Sequence, residues 1–234
     1  MPARDEAASL PLVFDMVPAW MDRIIVVDNG STDGTARVAL DLGGEVVTER
    51  KPGYGRACLA GLAFLGKSPP HVVAFADADG SDDLSRLGKL IDPVAEGEVD
   101  LVLGRRVPKH ASALSPQQRF GNWLATRLIR LLWNHDYADL GPMRAISWPA
   151  LQKLHMEDLD YGWTVEMQVR AVKTGLKIRE HPLPYYPRAG GRSKVSGTFK
   201  GTIRAGLKIL WVIGREAIRG RDIPPAAPRA AVPQ

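Results

Sequence analysis

Two aspartates, Asp77 and Asp79, stand one residue apart directly after the apolar run His71-Val-Val-Ala-Phe-Ala76. Carboxylates at i and i+2 can converge on one divalent cation once the chain leaves a strand. Mg²⁺ or Mn²⁺ takes such oxygen ligands and shares its remaining positions with water and phosphate. A pyrophosphate would be repelled by the bare acidic pair, so a metal ion is what would make the two compatible. Another acid, Asp28, ends Arg23-Ile-Ile-Val-Val-Asp28, where it could accept hydrogen bonds from a base imide or a ribose hydroxyl. Asn29-Gly30 then supplies a tight turn, and Ser31-Thr-Asp-Gly-Thr35 opens a helix with an electropositive start, Asp33 acting as its cap. In Gly53-Tyr54-Gly55-Arg56, with Lys51 nearby, Gly55 and Arg56 suit close backbone approach to a nucleotide. The third glycine of a dinucleotide fingerprint is missing at Cys58, which argues against a nicotinamide site.

These residues need strands and helices to bring them together. Short β-branched runs at 23–28, 45–48, 71–76 and 100–103 alternate with helical patterns at 35–42, 55–65 and 84–95. That rhythm predicts an α/β fold with a largely parallel central sheet and helices on both faces. Ligands on such sheets bind at the carboxyl ends of the strands, where Asp28 and Asp77 both lie. Asp82 and Asp83 read as caps of the helix that follows them. After Gly104 the pattern predicts a long helix over 115–133, a short strand at 143–146, a helix over 161–173, an extended stretch at 177–186 and a basic helix over 198–219.

Composition sets outer limits. The chain has 234 residues, 45% hydrophobic and 24% charged, which excludes a wholly disordered protein. Its one cysteine, Cys58, excludes an intrachain disulfide framework and suits a reducing compartment, and its five histidines lack zinc-ligand spacing. No basic-then-apolar leader begins the sequence, and Ile209–Ile213 is far too short to span a bilayer, so a cytoplasmic location is expected. The net charge of +5 is concentrated late: Arg188, Arg192, Lys194, Lys200, Arg204, Lys208, Arg215, Arg219 and Arg221 face only Glu216 before Asp222. Ile203, Leu207, Leu210 and Trp211 fall on helical spacing among them. This is the composition of a helix lying on anionic lipid at the cytoplasmic membrane face, or of one packed on its own domain. The organisation expected is a catalytic-type domain over 1–187, a basic helical appendage over 188–221 and a Pro/Ala-rich disordered tail over 222–234.

Taken in order, Pro2-Ala3-Arg4-Asp5-Glu6, Val26-Val-Asp-Asn-Gly-Ser31, the glycine turn and Asp77-Ala-Asp79 resemble family-2 glycosyltransferases of the GT-A fold. Asp100-Leu-Val-Leu-Gly-Arg-Arg106, Arg119-Phe-Gly-Asn122, Asp139-Leu-Gly-Pro-Met-Arg-Ala145, Trp163-Thr-Val-Glu166 and Arg188-Ala-Gly-Gly-Arg-Ser-Lys194 are similar to the dolichyl- or polyprenyl-phosphate mannose and glucose synthase branch. The resemblance implies that Pro2, Ala3, Glu6 and Asp28 hold base and ribose. It implies that Asp77 and Asp79 manage ribose, metal and diphosphate, and that Arg106, Arg119 and Arg188 handle phosphate groups. Ser81 stands where the branch often has an amide or another polar residue of the metal shell. Members also carry an apolar strand just before the Pro-Ala motif, in mid-sheet. Met1 stands at that position here, so a gap in the sheet is expected, along with a start upstream of Met1.

The activity implied is inverting, metal-dependent transfer of a hexose from a nucleoside diphosphate sugar to an acceptor. Enzymes of the family that act on sugar hydroxyls place an acidic pair before the late helix, where this chain has Trp163-Thr164. A phosphate is already an anionic nucleophile and needs no strong base, so the missing pair favours a polyprenyl phosphate acceptor. Asp139 and Glu166 are the candidate carboxylates if a base is used. A soluble transferase acting on a hydroxyl is the alternative, and a non-catalytic basic module binding lipid or nucleic acid is a third reading. Nucleic acid is not expected, because two carboxylates at strand ends repel polyanions.

Overall fold

β-Branched runs bounded by turn residues form the strands, and the longer periodic stretches between them form the helices. In the computed structural model, residues 1–190 and 199–220 are described. The order is β1 Pro2–Ala3, α1 Leu10–Met16, β2 Ile25–Asp28, α2 Thr35–Asp41, β3 Glu45–Thr48, α3 Tyr54–Leu65, β4 Val72–Phe75, α4 Gly88–Ala95 and β5 Leu101–Pro108. Then follow α5 Pro116–Trp133, β6 Arg144–Ser147, α6 Trp148–Leu154, α7 Trp163–Lys173, β7 Ile178–Tyr185 and α8 Phe199–Ile218. Arg192, Lys194 and Arg221, with the tail expected over 222–234, lie outside the described residues, and so does the side chain of Lys200.

The strands fall into two sheets, ordered β1-β2-β3 and β4-β6-β5-β7. The first is parallel throughout, and β6 runs antiparallel to both its neighbours. The strand expected to be missing beside β2 is present in part, since Pro2 and Ala3 pair with Val27 and Asp28. A half-open, largely apolar hollow of about 160 Å³ nevertheless remains between β2 and β4, lined by Ile25, Val27, Cys58, Val73 and Phe75 among others. Burial pushes the Cys58 thiol up to about 12, so the group behaves as a small inert hydrophobe.

α5 is set by its ends. Ser115 and Gln118 form a capping box, Pro116 occupies the first turn, and Asn134 closes the helix in the left-handed region at φ 52°. α8 packs on α5 and α7, with Val212 and Ile213 buried in the largest apolar cluster beside Ile129, Trp163 and Val169. A buried ionic network ties it down: Arg170 of α7 meets Glu216 of α8 at 2.9 Å and Glu166 at 3.3 Å, while Lys173 reaches Glu216 at 3.0 Å. No helix among the described residues is long and apolar enough to cross a membrane.

Candidate functional site

A cleft of about 510 Å³ opens where β4 and β5 end. Its floor carries Asp77, Asp79 and Ser81, its sides Arg106, Tyr54, Tyr185 and Arg188, and its far wall the first turns of α5 and the Ala205, Gly206 and Ile209 stretch of α8. β4 delivers the acids by ending at Phe75, so that both leave the sheet on its carboxyl side. Asp79 is buried and fully engaged. Its Oδ1 accepts from the Ser81 N–H at 2.9 Å and the Ser81 hydroxyl at 2.6 Å, and its Oδ2 accepts from Arg188 at 2.7 Å. Asp77 accepts from the Tyr54 hydroxyl at 3.2 Å. Burial, then the neighbouring Asp79 carboxylate, pushes Asp77 up to about 7.

Asp82 is a correction to the sequence reading. It does not cap a helix. It is buried beneath the acidic pair and held well above the usual carboxylate range by desolvation and then by Asp77. Asp77 and Asp79 line the cleft while Asp82 lies behind them, so the two lining carboxylates are the ones placed to meet an oxygen-seeking cation.

The first strands set the opposite flank. Ala3 pairs with Asp28 in register, and the Asp28 carboxylate accepts from the Ser31 N–H at 3.0 Å, closing the predicted turn. Asp33 does not cap α2, whose N-cap position is Gly34; it accepts from the Thr35 N–H at 2.9 Å in a tight turn just before the helix and from the Ala7 N–H at 3.2 Å. Glu6 is buried, hydrogen-bonded to Ser9 at 2.9 Å and ion-paired with Arg188. Asn29, which the sequence marks only as a turn residue, joins this flank to the next loop. Its amide donates to Glu49 O and Lys51 O at 2.9 and 2.8 Å and accepts from the Gly53 N–H at 2.9 Å.

Several expected residues lie elsewhere. Gly55 is buried, and a Cβ there would meet the Asp158 carbonyl at 2.0 Å, so the close approach it permits is to the protein's own backbone. Arg56 begins the same contact, its N–H donating to Leu159 O at 3.1 Å. Pro2, Ala3, Glu6 and Asp28 are not among the residues that line the cleft; Glu6 reaches it through its ion pair with Arg188, and Pro2 lines the hollow between β2 and β4. Arg119 is exposed and donates to Leu114 O at 3.3 Å. With about 100° between successive helical residues, its neighbours Gln118 and Asn122 face the cleft instead.

The two candidate bases are occupied. Both Asp139 oxygens take the Arg106 guanidinium in a two-pronged pair at 2.8 Å each, and Oδ2 also accepts the Arg106 N–H at 2.9 Å. The Asp139 loop is fastened by Glu180, Gln168 and Asn122. Glu166 is fully buried, accepts from the N–H groups of Glu157 and Asp158 at 3.0 and 2.8 Å, and faces Arg170 and Arg215, away from the cleft. Its burial pushes its carboxyl up while those arginines oppose the rise. Sequence reading missed Tyr54 and Arg144. The buried Arg144 donates to Pro142 O at 3.2 Å, Thr164 O at 3.1 Å and Gly141 O, fixing the cleft's inner rim.

Carboxylates and arginines at the carboxyl ends of α/β strands recur in a known fold. Glucosyl-3-phosphoglycerate synthase from Mycobacterium tuberculosis, solved with Mn²⁺, uridine-diphosphate-glucose and phosphoglyceric acid, matches with a TM-score of 0.69 at 22% identity, over 91% of this chain and 78% of its own. The architecture is that of a GT-A glycosyltransferase. A sequence profile described as Glycosyl transferase family 2 matches residues 1–151. An uncharacterized glycosyltransferase of M. tuberculosis is 40% identical over 213 residues, 91% of this chain and 95% of its own. The undecaprenyl-phosphate mannosyltransferase of Micrococcus luteus is 31% identical over 242 residues, 94% of this chain and 96% of its own. The chain belongs to glycosyltransferase family 2 and is an enzyme of that family.

The occupied state of Asp139 gives a direct test of its role. Asp139→Asn removes one charge-assisted contact to Arg106, worth about 1.5–3 kcal/mol, so turnover should fall roughly 10- to 100-fold. The acid limb of the pH–rate profile should stay where it is, because Arg106 is displaced and no titrating base is lost. Disappearance of that limb would instead make Asp139 the base.

Proposed function

We propose that this enzyme transfers a hexose, with inversion, from a nucleoside diphosphate sugar to a polyprenyl phosphate at a membrane surface, using Mg²⁺ or Mn²⁺ held by Asp77 and Asp79. The observation that carries the reading is the convergence of those acids with Arg106 and Arg188 in one cleft walled by α5 and α8. The residues fit a divalent ion. All the donors are oxygens, and the crowding that raises Asp77 is what a dication would offset. When bound, such an ion neutralises charge on the departing diphosphate.

The remaining work falls to the chain. Asp28, with Pro2, Ala3 and Glu6, would hold base and ribose, as the family resemblance implies. Tyr54 orients Asp77 through its hydroxyl. Arg106, fixed by Asp139 and stacked over Tyr185 at 5.3 Å, offers a permanently charged guanidinium to phosphate oxygens. With Asp139 and Glu166 both engaged by arginines, an acceptor that is already anionic suits the site better than a hydroxyl.

The outward stripes of α5 and α8 support membrane contact. Phe120, Trp123 and Leu131 on α5, and Leu207, Trp211 and Ile218 on α8, are all more than half exposed. The exposed Arg119 and Arg127 stand among the first set. Lys208 and Arg215 sit over the Trp211 ring at 4.5 and 5.0 Å but are ion-paired with Asp158 and with Glu166 and Glu216, so the cationic part of the surface rests on α5. Large exposed apolar side chains with cations around them describe an interfacial surface. In flotation assays the enzyme should rise with phosphatidylglycerol vesicles and remain with the protein fraction when vesicles are neutral. The pair Trp123→Ser and Trp211→Ser should weaken binding at least tenfold. Equal recovery on both vesicle types would remove the electrostatic part of this reading.

The decisive experiment is a transfer assay with UDP-, GDP- and dTDP-hexoses, Mn²⁺ or EDTA, and either a polyprenyl phosphate or 3-phosphoglycerate as acceptor. Labelled lipid formed only with metal supports the proposal. Transfer to phosphoglycerate alone would make the enzyme a transferase of soluble hydroxyl acceptors.

A further inference from the structure

One cation in the cleft is already paired to a carboxylate that a divalent ion would use. Arg188, which follows β7, donates through Nη1 to Asp79 Oδ2 at 2.7 Å and through Nη2 to Glu6. This placement is built into the backbone as well as the side chain. The Ala189 N–H donates to Asp79 O at 3.0 Å, and Gly80, at φ +74°, leaves room for that approach. A Cβ on Gly80 would lie 2.8 Å from the Ala189 methyl group. Asp79 and Glu6 are both buried, while Arg188 is about a quarter exposed, so a partly solvated guanidinium neutralises two buried acids.

A divalent ion sits about 2.1 Å from a carboxylate oxygen. On Asp79 Oδ2 it would therefore lie less than about 5 Å from the guanidinium, like charge against like charge at short range. Without another anion present, the ion must displace Arg188 or be repelled by it. A diphosphate would change the balance, because its oxygens would supply negative charge to both cations. Arg188 then gains a two-pronged partner in place of the one it gives up.

We infer that Arg188 is an internal counter-ion for Asp79 and Glu6 that competes with the divalent ion when nucleotide is absent and cooperates with it when the diphosphate is bound, so that metal and donor load together. The inference rests on the reading of Asp77 and Asp79 as metal ligands. Because coupling between two ligands is reciprocal, the same factor must appear in Mn²⁺ affinity with and without nucleotide and in nucleotide affinity with and without Mn²⁺.

The test is Mn²⁺ binding followed by the electron paramagnetic resonance signal of the free ion, with and without UDP, in the wild type, Arg188→Ala and Arg188→Lys. Without UDP, Arg188→Ala should bind Mn²⁺ about tenfold more tightly than the wild type, and Arg188→Lys should resemble the wild type. With UDP the order should reverse, so that the enhancement by UDP is at least a hundredfold smaller in Arg188→Ala. In EDTA that variant should melt below the wild type and recover on addition of Mn²⁺, because the ion replaces the missing cation. Should it fail to fold, Arg188→Gln serves for the same comparison. Equal Mn²⁺ affinity of wild type and variant without UDP, beside normal binding with UDP, overturns the role of Arg188 alone. Absence of Mn²⁺ binding by the wild type even with UDP overturns the metal reading and this inference with it.

Discussion

Asp79→Asn is expected to lower hexosyl transfer by about three orders of magnitude while leaving the circular dichroism spectrum unchanged. Asp79 is the most completely engaged acid in the cleft, with Ser81 on one oxygen and Arg188 on the other. An amide keeps the shape but removes a full negative charge, and it can turn an NH₂ group toward Arg188 or the ion. Removing one preorganised electrostatic contact at a centre of developing charge typically costs about 2.7–4 kcal/mol, or 10²- to 10³-fold in rate. Here the metal and the arginine are disturbed together, which puts the effect at the upper end. The measurement is kcat for transfer at saturating Mn²⁺ with the donor that the panel identifies. A variant within tenfold of the wild type would mean that Asp79 holds Arg188 and does nothing for the leaving diphosphate.

The second large effect concerns stability. Arg170→Ala should destabilise the protein by about 3 kcal/mol, the low end for breaking a buried ionic group. Arg170 is wholly buried and faces Glu157, Glu166 and Glu216 while donating to the carbonyls of Leu154 and His155. Its loss leaves Glu166 to Arg215, and Glu216 to Arg215 and Lys173, so the acids keep some compensation. For a domain of this size the melting temperature should drop by about 10 °C. The exposed pair Arg37–Asp41 provides the contrast, since Arg37→Ala should change it by a degree or less. A shift under about 3 °C for Arg170→Ala would mean that water or the remaining cations fully replace it. Because α8 forms part of the cleft wall, loosening this network should also raise KM for the acceptor.

Much of the frame could be read from the residue pattern. The runs ending at Asp28 and Asp77 became strands, and the acids lie at their carboxyl ends because periodicity and turn chemistry are local. α1 and α6 were overlooked. Each is seven residues long with proline in its first turn, and neither has the cap-like Ser-Thr-Asp-Gly lead and closing Gly-Gly that marked the equally short α2. The antiparallel sense of β6 was not readable from a four-residue segment either.

The site was less legible than the fold, for a physical reason. Whether an acid serves chemistry or structure depends on which cations the fold brings to it. Asp139 meets Arg106 across 33 residues and Glu166 meets Arg215 across 49, and no spacing rule encodes those encounters. Asp82 looked like a solvated turn residue because sequence carries no record of burial. Arg119 belongs to a quoted motif, yet the rotation of α5 turns it outward. Gly55 did mark a tight approach, though to another part of the same chain.

The empty space between β2 and β4 has a mechanical consequence. Loosely packed apolar hollows leave volume that the atoms of a folded protein do not fill, and unfolding lets water reclaim the difference. Hydrostatic compression should therefore act on this molecule first at the seam between its two sheets, parting the flank that carries Asp28 from the floor that carries Asp77 before either sheet comes apart.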